Sequence, residues 1–156
     1  MSLKPEKMIF RDYRPEDFEK LSALWVDLGM GHPSRGDTPE IIKQTIQLGG
    51  KLILLENSET NEILGSSWMT FDGRRVFLHH FGIAKELQGQ GWGKKLAAES
   101  LAFIKKQGYQ VKLEVHKENK AAKALYEKLG FFAFTDYDIY MIRDAKAIPY
   151  VFKTEE

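Results

Sequence analysis

The stretch LQGQGWGKKLAAES (residues 87–100) most constrains the fold, because three alternating glycines stand directly before a helix-like pattern. Gly89, Gly91 and Gly93 lack side chains, so the chain can turn tightly there and another group can come close to the backbone. The strand-like run Arg75–Ile83 precedes them. A strand, a glycine-rich turn and a helix in this order predict an arrangement in which the helix packs back against a sheet.

Strand and helix patterns also alternate through the rest of the chain. Strands are predicted at 8–13, 51–56, 63–71, 75–83, 109–115, 131–134 and 138–142, and helices at 15–28, 38–49, 94–107 and 119–130. This order predicts a single-domain α/β (α+β) fold with a mixed, mostly antiparallel twisted sheet of about seven strands, flanked by about four helices. Residues 1–156 form one domain in this interpretation, with a core at about 8–143 and a C-terminal tail at 144–156.

Composition excludes several classes of protein. The 156 residues include 23 basic and 22 acidic side chains, a formal net charge of +1, which argues against nucleic-acid binding by bulk charge and gives no support for binding to acidic membranes. The chain has no cysteine, which excludes disulfides, thiolate metal sites and a cysteine nucleophile, and no metal is expected. Because no signal-peptide core and no run of roughly 18 apolar residues is found, we expect a cytoplasmic protein.

The glycine segment fails two nucleotide-binding motifs. For the P-loop pattern the first glycine falls on Gln88, and Lys95 stands where Ser or Thr is needed. The dinucleotide pattern G-x-G-x-x-G also fails, because these glycines alternate. A helix N-terminus behind a glycine turn nevertheless offers unpaired N–H groups and a partial positive charge, to which Lys94 adds. The segment therefore predicts either a phosphate or pyrophosphate site, or a tight turn followed by a solvated basic first turn of helix.

A second segment, LEVHKENKAAKALYEKLGFF (residues 113–132), makes the pattern more specific. With the glycine segment it resembles the GNAT superfamily of N-acetyltransferases. Gln88, Gly91 and Gly93 match the acetyl-CoA loop pattern Q/R-x-x-G-x-G/A of that family. The pattern N-x-x-A-x-x-L-Y-x-x-x-G-F is matched at every fixed position, which are Asn119, Ala122, Leu125, Tyr126, Gly130 and Phe131. The predicted order of elements also fits the family fold.

The resemblance implies acetyl-CoA as co-substrate and a set of residues that bind it. The loop amides would hold the CoA pyrophosphate, and the exposed backbone of a fourth strand that splays from the fifth would hold the pantetheine arm. Asn119 would cap its helix and contact the cofactor, and Trp92 is expected to pack under the helix rather than on adenine. The implied cofactor-binding residues are Phe81, Gly82, Ile83, Gln88, Gly89, Gln90, Gly91, Trp92, Gly93, Lys94, Asn119 and Tyr126. Ordinary core packing also explains the side chains of Phe81 and Ile83.

Direct acetyl transfer in a ternary complex is the simplest scheme, because a chain without cysteine cannot form an acyl-cysteine intermediate. Tyr126 matches the family tyrosine that protonates the leaving thiolate, and a core tyrosine is the alternative interpretation. For the general base the candidates are Glu114, His79 with its neighbour His80, and bulk water. Glu114 lies at the spacing seen in ribosomal-protein alanine acetyltransferases, and His79 corresponds to a histidine of some arylalkylamine acetyltransferases. Histidine also titrates near neutral pH, which suits deprotonation of an amine.

The acceptor is predicted only as a primary amine of a small molecule or a peptide. The polar residues expected near it are His32, Arg35, Asp37 and Asp72, for each of which a solvated loop is the alternative. A homodimer is plausible, with IPYVF (residues 148–152) as one possible contact. Two other functions stay open: a CoA-binding sensor or scaffold without catalysis, and a phosphate-loop nucleotide binder, which the failed motif count disfavours.

Overall fold

A mixed sheet with helices on both faces forms the core of the protein. The computed structural model describes residues 3–149. Its strands are β1 (Met8–Asp12), β2 (Lys51–Asn57), β3 (Glu62–Phe71), β4 (Arg75–Ile83) and β5 (Gln110–Leu113), and its α-helices are α1 (Phe18–Asp27), α2 (Pro39–Gln47), α3 (Trp92–Gln107) and α4 (Lys120–Lys128). The strands lie in the order β1-β2-β3-β4-β5, antiparallel except for the parallel pair β4–β5. The predicted α/β fold with a mixed, mostly antiparallel sheet is confirmed.

Neighbouring residues of β3 show which helix covers which face. The indole of Trp68 donates a hydrogen bond to Thr45 of α2 at 3.0 Å and stacks on Trp25 of α1 at 5.7 Å between ring centroids. The next residue back, Ser67, is hydrogen-bonded to Ser100 of α3 at 2.7 Å. Because successive strand residues point to opposite faces, α1 and α2 cover one face and α3 covers the other.

The central feature of the sheet is a β-bulge in β4. Trp68 pairs with His79 and Ser66 pairs with Gly82, so β4 has two residues where β3 has one. The backbone strain of the bulge lies at His80, whose φ of 44° is in the left-handed region that residues other than glycine rarely occupy. The extra residue brings two consecutive imidazoles to the face of α1 and α2, with ring centroids 6.2 Å and 5.3 Å from that of Trp68 for His79 and His80 respectively.

After Leu78, just before the bulge, β4 and β5 separate. Their ladder runs only from Arg75 opposite Gln110 to Leu78 opposite Leu113, although β4 continues to Ile83. The last five residues of β4 therefore have no pairing with β5 on that side. β5 itself is shorter than the predicted strand 109–115, and the chain leaves the sheet immediately before Glu114.

The two predicted strands at 131–134 and 138–142 are wrong, since these residues are in neither a strand nor a helix. Apart from Phe131, which packs against Tyr126, their large apolar side chains are exposed, to 79% for Phe132 and 91% for Tyr140. Residues with high β-propensity form a strand when their side chains can pack on a half-buried, pleated surface. These two segments have no such surface beneath them. The sheet of the described chain thus has five strands rather than about seven. The division into a core at 8–143 and a tail remains a prediction, and residues 150–152 of the suggested IPYVF contact lie outside the described chain.

Within residues 3–149, no helix is both long enough and apolar enough to cross a bilayer.

His79 is held neutral by its surroundings. Its Nε2 lies 2.8 Å from the Thr70 hydroxyl, and its ring stacks on Phe77 with centroids 5.3 Å apart. Burial, and secondarily the neighbouring His80, lower the pKa of His79 from 6.5 to about 4, while Asp37 acts in the opposite direction. A buried imidazole of this kind favours the neutral form because charging it would cost solvation free energy.

We expect His79 to make the fold sensitive to acid. Because its pKa is lower in the folded than in the unfolded chain, its contribution to stability is complete above pH 6.5 and is lost as the pH falls to about 4. The loss is on the order of 3 kcal/mol of unfolding free energy. His79→Gln keeps a hydrogen-bonding side chain that does not titrate, so its stability should fall less. Urea unfolding of both proteins at pH 7.5 and pH 4.5 measures this, and equal pH dependence in the two proteins would contradict the assignment.

Candidate active site

The glycine turn leaves an open approach to the backbone at the start of α3. Gly89 and Gly91 have φ values of 77° and 88°, in the region that favours glycine, and no heavy atom lies within 4 Å of where a Cβ would stand on either. Gly91 is the N-cap residue of α3 and has no side chain with which to cap it. The turn is therefore shaped by left-handed backbone angles, and the space above it is free.

The first amides of α3 face that free space. The first bond of the helix runs from the amide of Lys95 to the carbonyl of Gly91 at 3.2 Å, so the amides of Trp92, Gly93 and Lys94 precede the hydrogen-bonded ladder. Together they form the positive end of the helix dipole. Lys95 turns its ammonium over the Trp92 ring at 4.3 Å, and Lys94 is exposed. These donors and the space above them suit a phosphate or pyrophosphate.

Two glutamines fix the turn against the end of β4. Gln88 donates from Nε2 to the Ile83 carbonyl at 3.0 Å, and Gln90 donates to the Glu86 carbonyl at 3.0 Å. The indole of Trp92 is buried, with its ring 6.4 Å from that of Phe10. Trp92 thus presents only its backbone to a ligand.

Tyr126 approaches the opening between β4 and β5 from α4. Asn119 starts this helix by accepting a hydrogen bond from the amide of Ala122 at 3.1 Å. The Tyr126 ring packs edge-on against Phe81 at 5.9 Å and against Phe131 at 5.7 Å. Burial raises the pKa of Tyr126 from 10.0 to about 12, so the phenol stays protonated throughout the neutral range. Such a group can donate a proton and holds it until a stronger base forms nearby.

The side chains predicted to be bases occupy different environments. Glu114 is exposed, directly after β5, at the mouth of the opening. His79 is half-buried, with its Nε2 hydrogen-bonded to the Thr70 hydroxyl. His80, named with His79 as a candidate base, has its Nε2 3.0 Å from a carboxylate oxygen of Asp37. Each residue was a candidate by itself, but their pairing was not predicted, because the two belong to elements that only the folded chain brings together.

Of the polar residues expected near the acceptor, two prove to be structural in their main contacts. Asp72 accepts hydrogen bonds from the amides of Arg74 and Arg75 at 2.7 Å each, and these bonds hold its pKa below the usual range. Asp37 is buried and accepts from the amide of His32 at 2.6 Å. His32 and Asp37 thus belong to one ordered loop between α1 and α2, beside β4, whereas Asp72 shapes the β3–β4 hairpin.

A cavity of about 660 Å³ lies elsewhere, between the β1–β2 edge and α3. Two of its basic residues have acidic partners: Arg11 is paired with Asp17 and Glu56, and Lys51 is 3.1 Å from Asp12. The glycine turn, the part of β4 beyond its ladder with β5 and the phenol of Tyr126 converge instead at the β4–β5 opening, which we take as the candidate active site. Residues 3–149 contain no cluster of three side chains suited to a metal ion.

Comparison with known proteins identifies the family of the chain. The model of the acetyltransferase (GNAT) family matches residues 10–131, which include the glycine turn and Tyr126. A mycothiol acetyltransferase of Renibacterium salmoninarum is 28% identical over 144 residues, covering 81% of this chain and 41% of the relative. N-alpha-acetyltransferase 30 of Schizosaccharomyces pombe is 35% identical over 78 residues, covering 49% of this chain and 52% of the relative. The chain thus spans about half or less of the length of these relatives.

A solved structure shows the same fold. AAC(6')-Iy, in complex with the bisubstrate analogue CoA-S-monomethyl-acetylneamine, superposes with a TM-score of 0.69 at 17% identity, covering 88% of this chain and 99% of that one. At this identity the similarity concerns the fold. The family model, by contrast, matches well over half of the sequence, including the motif residues that form the opening. The chain therefore belongs to the acetyltransferase (GNAT) family.

Proposed function

We propose that the protein is an acetyl-CoA-dependent N-acetyltransferase that moves an acetyl group to the primary amine of a small molecule or a peptide. The observation that carries the proposal is the β4–β5 opening, which has an uncapped helix N-terminus at one end and the protonated phenol of Tyr126 beside it. Family membership and a relative solved with a CoA-containing analogue support the choice of co-substrate. The need for acetyl-CoA and the absence of cysteine favour the cytoplasm.

The binding of acetyl-CoA would use backbone groups throughout. The amides of Gly91 to Lys94 suit the pyrophosphate, since they are unbonded and at the positive end of α3. The part of β4 from Phe81 to Ile83 lies beyond the ladder with β5 and suits the amide-rich pantetheine arm. This mode of binding requires little net positive charge, in agreement with a formal charge of +1 for the whole chain.

The reaction would be direct transfer within a ternary complex. The neutral amine attacks the thioester carbonyl, a C–N bond forms and the C–S bond breaks. Tyr126 gives its phenolic proton to the departing thiolate, a role that its raised pKa of about 12 supports because it remains protonated until that moment. The nitrogen of the new amide then loses its extra proton, and solvent returns a proton to the Tyr126 phenolate.

The acceptor must lose a proton before it attacks. Glu114 at the mouth of the opening and His79 beneath it are the side chains that the family resemblance proposes. With a pKa of about 4, His79 holds a proton weakly at neutral pH, which makes it a poor base there. Glu114 is proposed as the general base only because of its position at the mouth of the opening.

A turnover screen tests the proposed activity. The purified protein is incubated with acetyl-CoA and a panel of amino acids, peptide N-termini, polyamines, aminoglycosides and glycosyl amines, and free CoA is measured. Turnover with at least one amine is expected. Tight binding of CoA with no turnover across the panel would instead favour the sensor or scaffold function, and stabilisation by ATP but not by CoA would favour a nucleotide binder.

Gly91→Glu should remove cofactor binding. A carboxylate at this N-cap position would occupy the space above the turn and repel the pyrophosphate, so we expect CoA affinity to fall by on the order of 100-fold. Gly108→Glu is the matched control, because Gly108 ends the same helix with a φ of 75° and equally free space around its Cβ position. Isothermal titration with CoA compares the two, and equal losses would show that backbone strain, and not the anion site, is responsible.

Tyr126→Phe should lower turnover while leaving CoA binding intact. Loss of the proton donor is expected to reduce kcat by about 10²–10³-fold, with less than about a twofold change in the Kd for CoA. Because burial holds the pKa near 12, the wild-type kcat should not decline through this group below about pH 11. Tyr109→Phe serves as the control, because this exposed tyrosine lies directly before β5 and packs on Phe71 rather than at the opening. An unchanged kcat for Tyr126→Phe would remove the acid role.

A further inference from the structure

The most unusual charged group near the opening is a buried carboxylate. Asp37 lies in the loop between α1 and α2 and is only 6% exposed. One of its oxygens accepts from the amide of His32 at 2.6 Å, and the other lies 3.0 Å from Nε2 of His80. A carboxylate is buried at high cost unless partners stabilise its charge, so this loop is built to bring a carboxylate to that imidazole.

The imidazole of His80 is equally constrained. Its ring lies against the indoles of Trp25 and Trp68, with centroids 4.5 Å and 5.3 Å away, and 18% of its side chain is exposed. Its backbone has the strained φ of 44°, and its carbonyl accepts from the fully buried hydroxyl of Ser66 at 2.7 Å. Strain that the surroundings hold in place is concentrated at functional sites.

The contact selects one tautomer of His80. The carboxylate of Asp37 accepts hydrogen bonds and faces Nε2, so the proton of the neutral ring belongs on Nε2 and the lone pair on Nδ1. The Nε2 atom is buried, and its N–H bond points off the direct line to the carboxylate, so a small rotation of the ring completes the hydrogen bond. Catalytic hydrogen bonds commonly tighten in this way when the substrate binds.

The bulge places this pair opposite the proton donor. His80 and Phe81 are adjacent on β4, with their Cα atoms about 3.8 Å apart. The His80 ring lies on the face of α1 and its following loop, whereas the Phe81 ring packs against Tyr126 on the other face. The two side chains therefore approach the same point of β4 from opposite sides, where its pairing with β5 has ended.

We propose that Asp37 and His80 form the carboxylate–imidazole pair that deprotonates the acceptor amine, with His80 as a catalytic base and Asp37 as its positioning residue. The inference rests on the proposed acetyltransferase function and names the residues that would supply its general base.

The proton balance of the step is complete. Nδ1 of His80 takes one proton from the bound ammonium, leaving the neutral amine, and the imidazolium that forms is stabilised by Asp37. The amine then forms the C–N bond, and the C–S bond breaks as Tyr126 protonates the thiolate. The second proton lost by the nitrogen returns to Tyr126 through water, and His80 releases its proton to solvent, so one proton is released per turnover.

Two titratable groups act on His80 and shape the expected pH profile. Asp37 faces it from the loop, and His79 adjoins it on β4, whereas α1 and β3 contribute the uncharged indoles of Trp25 and Trp68. His79 is largely neutral at pH values well above its pKa of about 4, so a change of rate near neutrality would not come from that imidazole. A catalytic base must be unprotonated to act, so we expect the rate of the wild type to rise with pH and reach a plateau.

The test measures kcat against pH for His80→Asn, Asp37→Asn and the wild type, with the best amine from the turnover screen. Asn is chosen at position 80 because it tolerates the left-handed backbone. For His80→Asn we expect kcat at pH 7 to fall about 10²–10³-fold, with the plateau replaced by a steady rise with pH, and an unchanged Kd for CoA. Asp37→Asn should lose about 10–100-fold and shift the midpoint.

Ser66→Ala is the control for a purely structural role. It removes the hydroxyl that holds the His80 carbonyl but leaves both titrating groups, so it should lower stability and retain the plateau and its midpoint. In His80→Gly, added imidazole should restore part of the lost rate. The proposal is overturned if His80→Asn keeps the wild-type profile, if Ser66→Ala erases the plateau equally, or if Glu114→Gln is the variant that removes it.

A readout independent of turnover separates this proposal from the proposed function. Nitrogen NMR of the imidazole at pH 7.5 should show His80 as the Nε2–H tautomer in the wild type and a mixture in Asp37→Asn. The Nδ1–H tautomer in the wild type would overturn the pair whatever the activity. A wild type with the expected tautomer but no turnover of any amine would instead contradict the acetyltransferase function, and the base role would fall with it.

Discussion

One extra residue in β4 determines most of what the site can do. At the bulge, His80 adopts a φ of 44°, a strain that two buried hydrogen bonds offset: Trp25 donates to Ser66 at 2.9 Å, and Ser66 donates to the His80 carbonyl at 2.7 Å. If Ser66 lost its hydroxyl, a buried indole N–H and a carbonyl would both lose their partner, at a cost of roughly 1–3 kcal/mol. The bulge places both imidazoles on one face and Phe81 on the other, next to the region where β4 and β5 separate.

The proposed anion site depends on backbone geometry more than on basic side chains. Lys95 is turned over Trp92, and Lys94 is exposed, so neither residue has to be fixed above the turn. The amides of α3 cannot move away, because Gln88 ties the turn to the end of β4 and the indole of Trp92 anchors the helix in the core. Preorganised donors of this kind hold a phosphate without a reorganisation cost when the ligand arrives.

Local signals in the sequence predicted the elements that depend on local chemistry. The cap at Asn119, the end of α3 before Gly108 and the position of the glycine turn were all correct, because each follows from hydrogen bonds and backbone angles within a few residues. The strands predicted at 131–134 and 138–142 failed, because a strand also needs a neighbouring edge and a surface on which to pack. The pair of Asp37 and His80 could not be predicted either. The two residues are 43 positions apart in sequence, and only the packing of α1 on β3 brings them into contact.

Burial has opposite effects on the two kinds of titratable group around the opening, and it leaves both uncharged. It raises the pKa of the Tyr126 phenol to about 12, which prevents loss of a proton, and lowers the pKa of the His79 imidazole to about 4, which prevents gain of one. In the proposed reaction, an acceptor that enters as an ammonium would meet a neutral acid on one side of β4 and a neutral His79 on the other. Within the described chain, the paired carboxylate of Asp37 is the group placed to stabilise a positive charge on the adjacent imidazole, and that charge is what removing a proton from the acceptor would create.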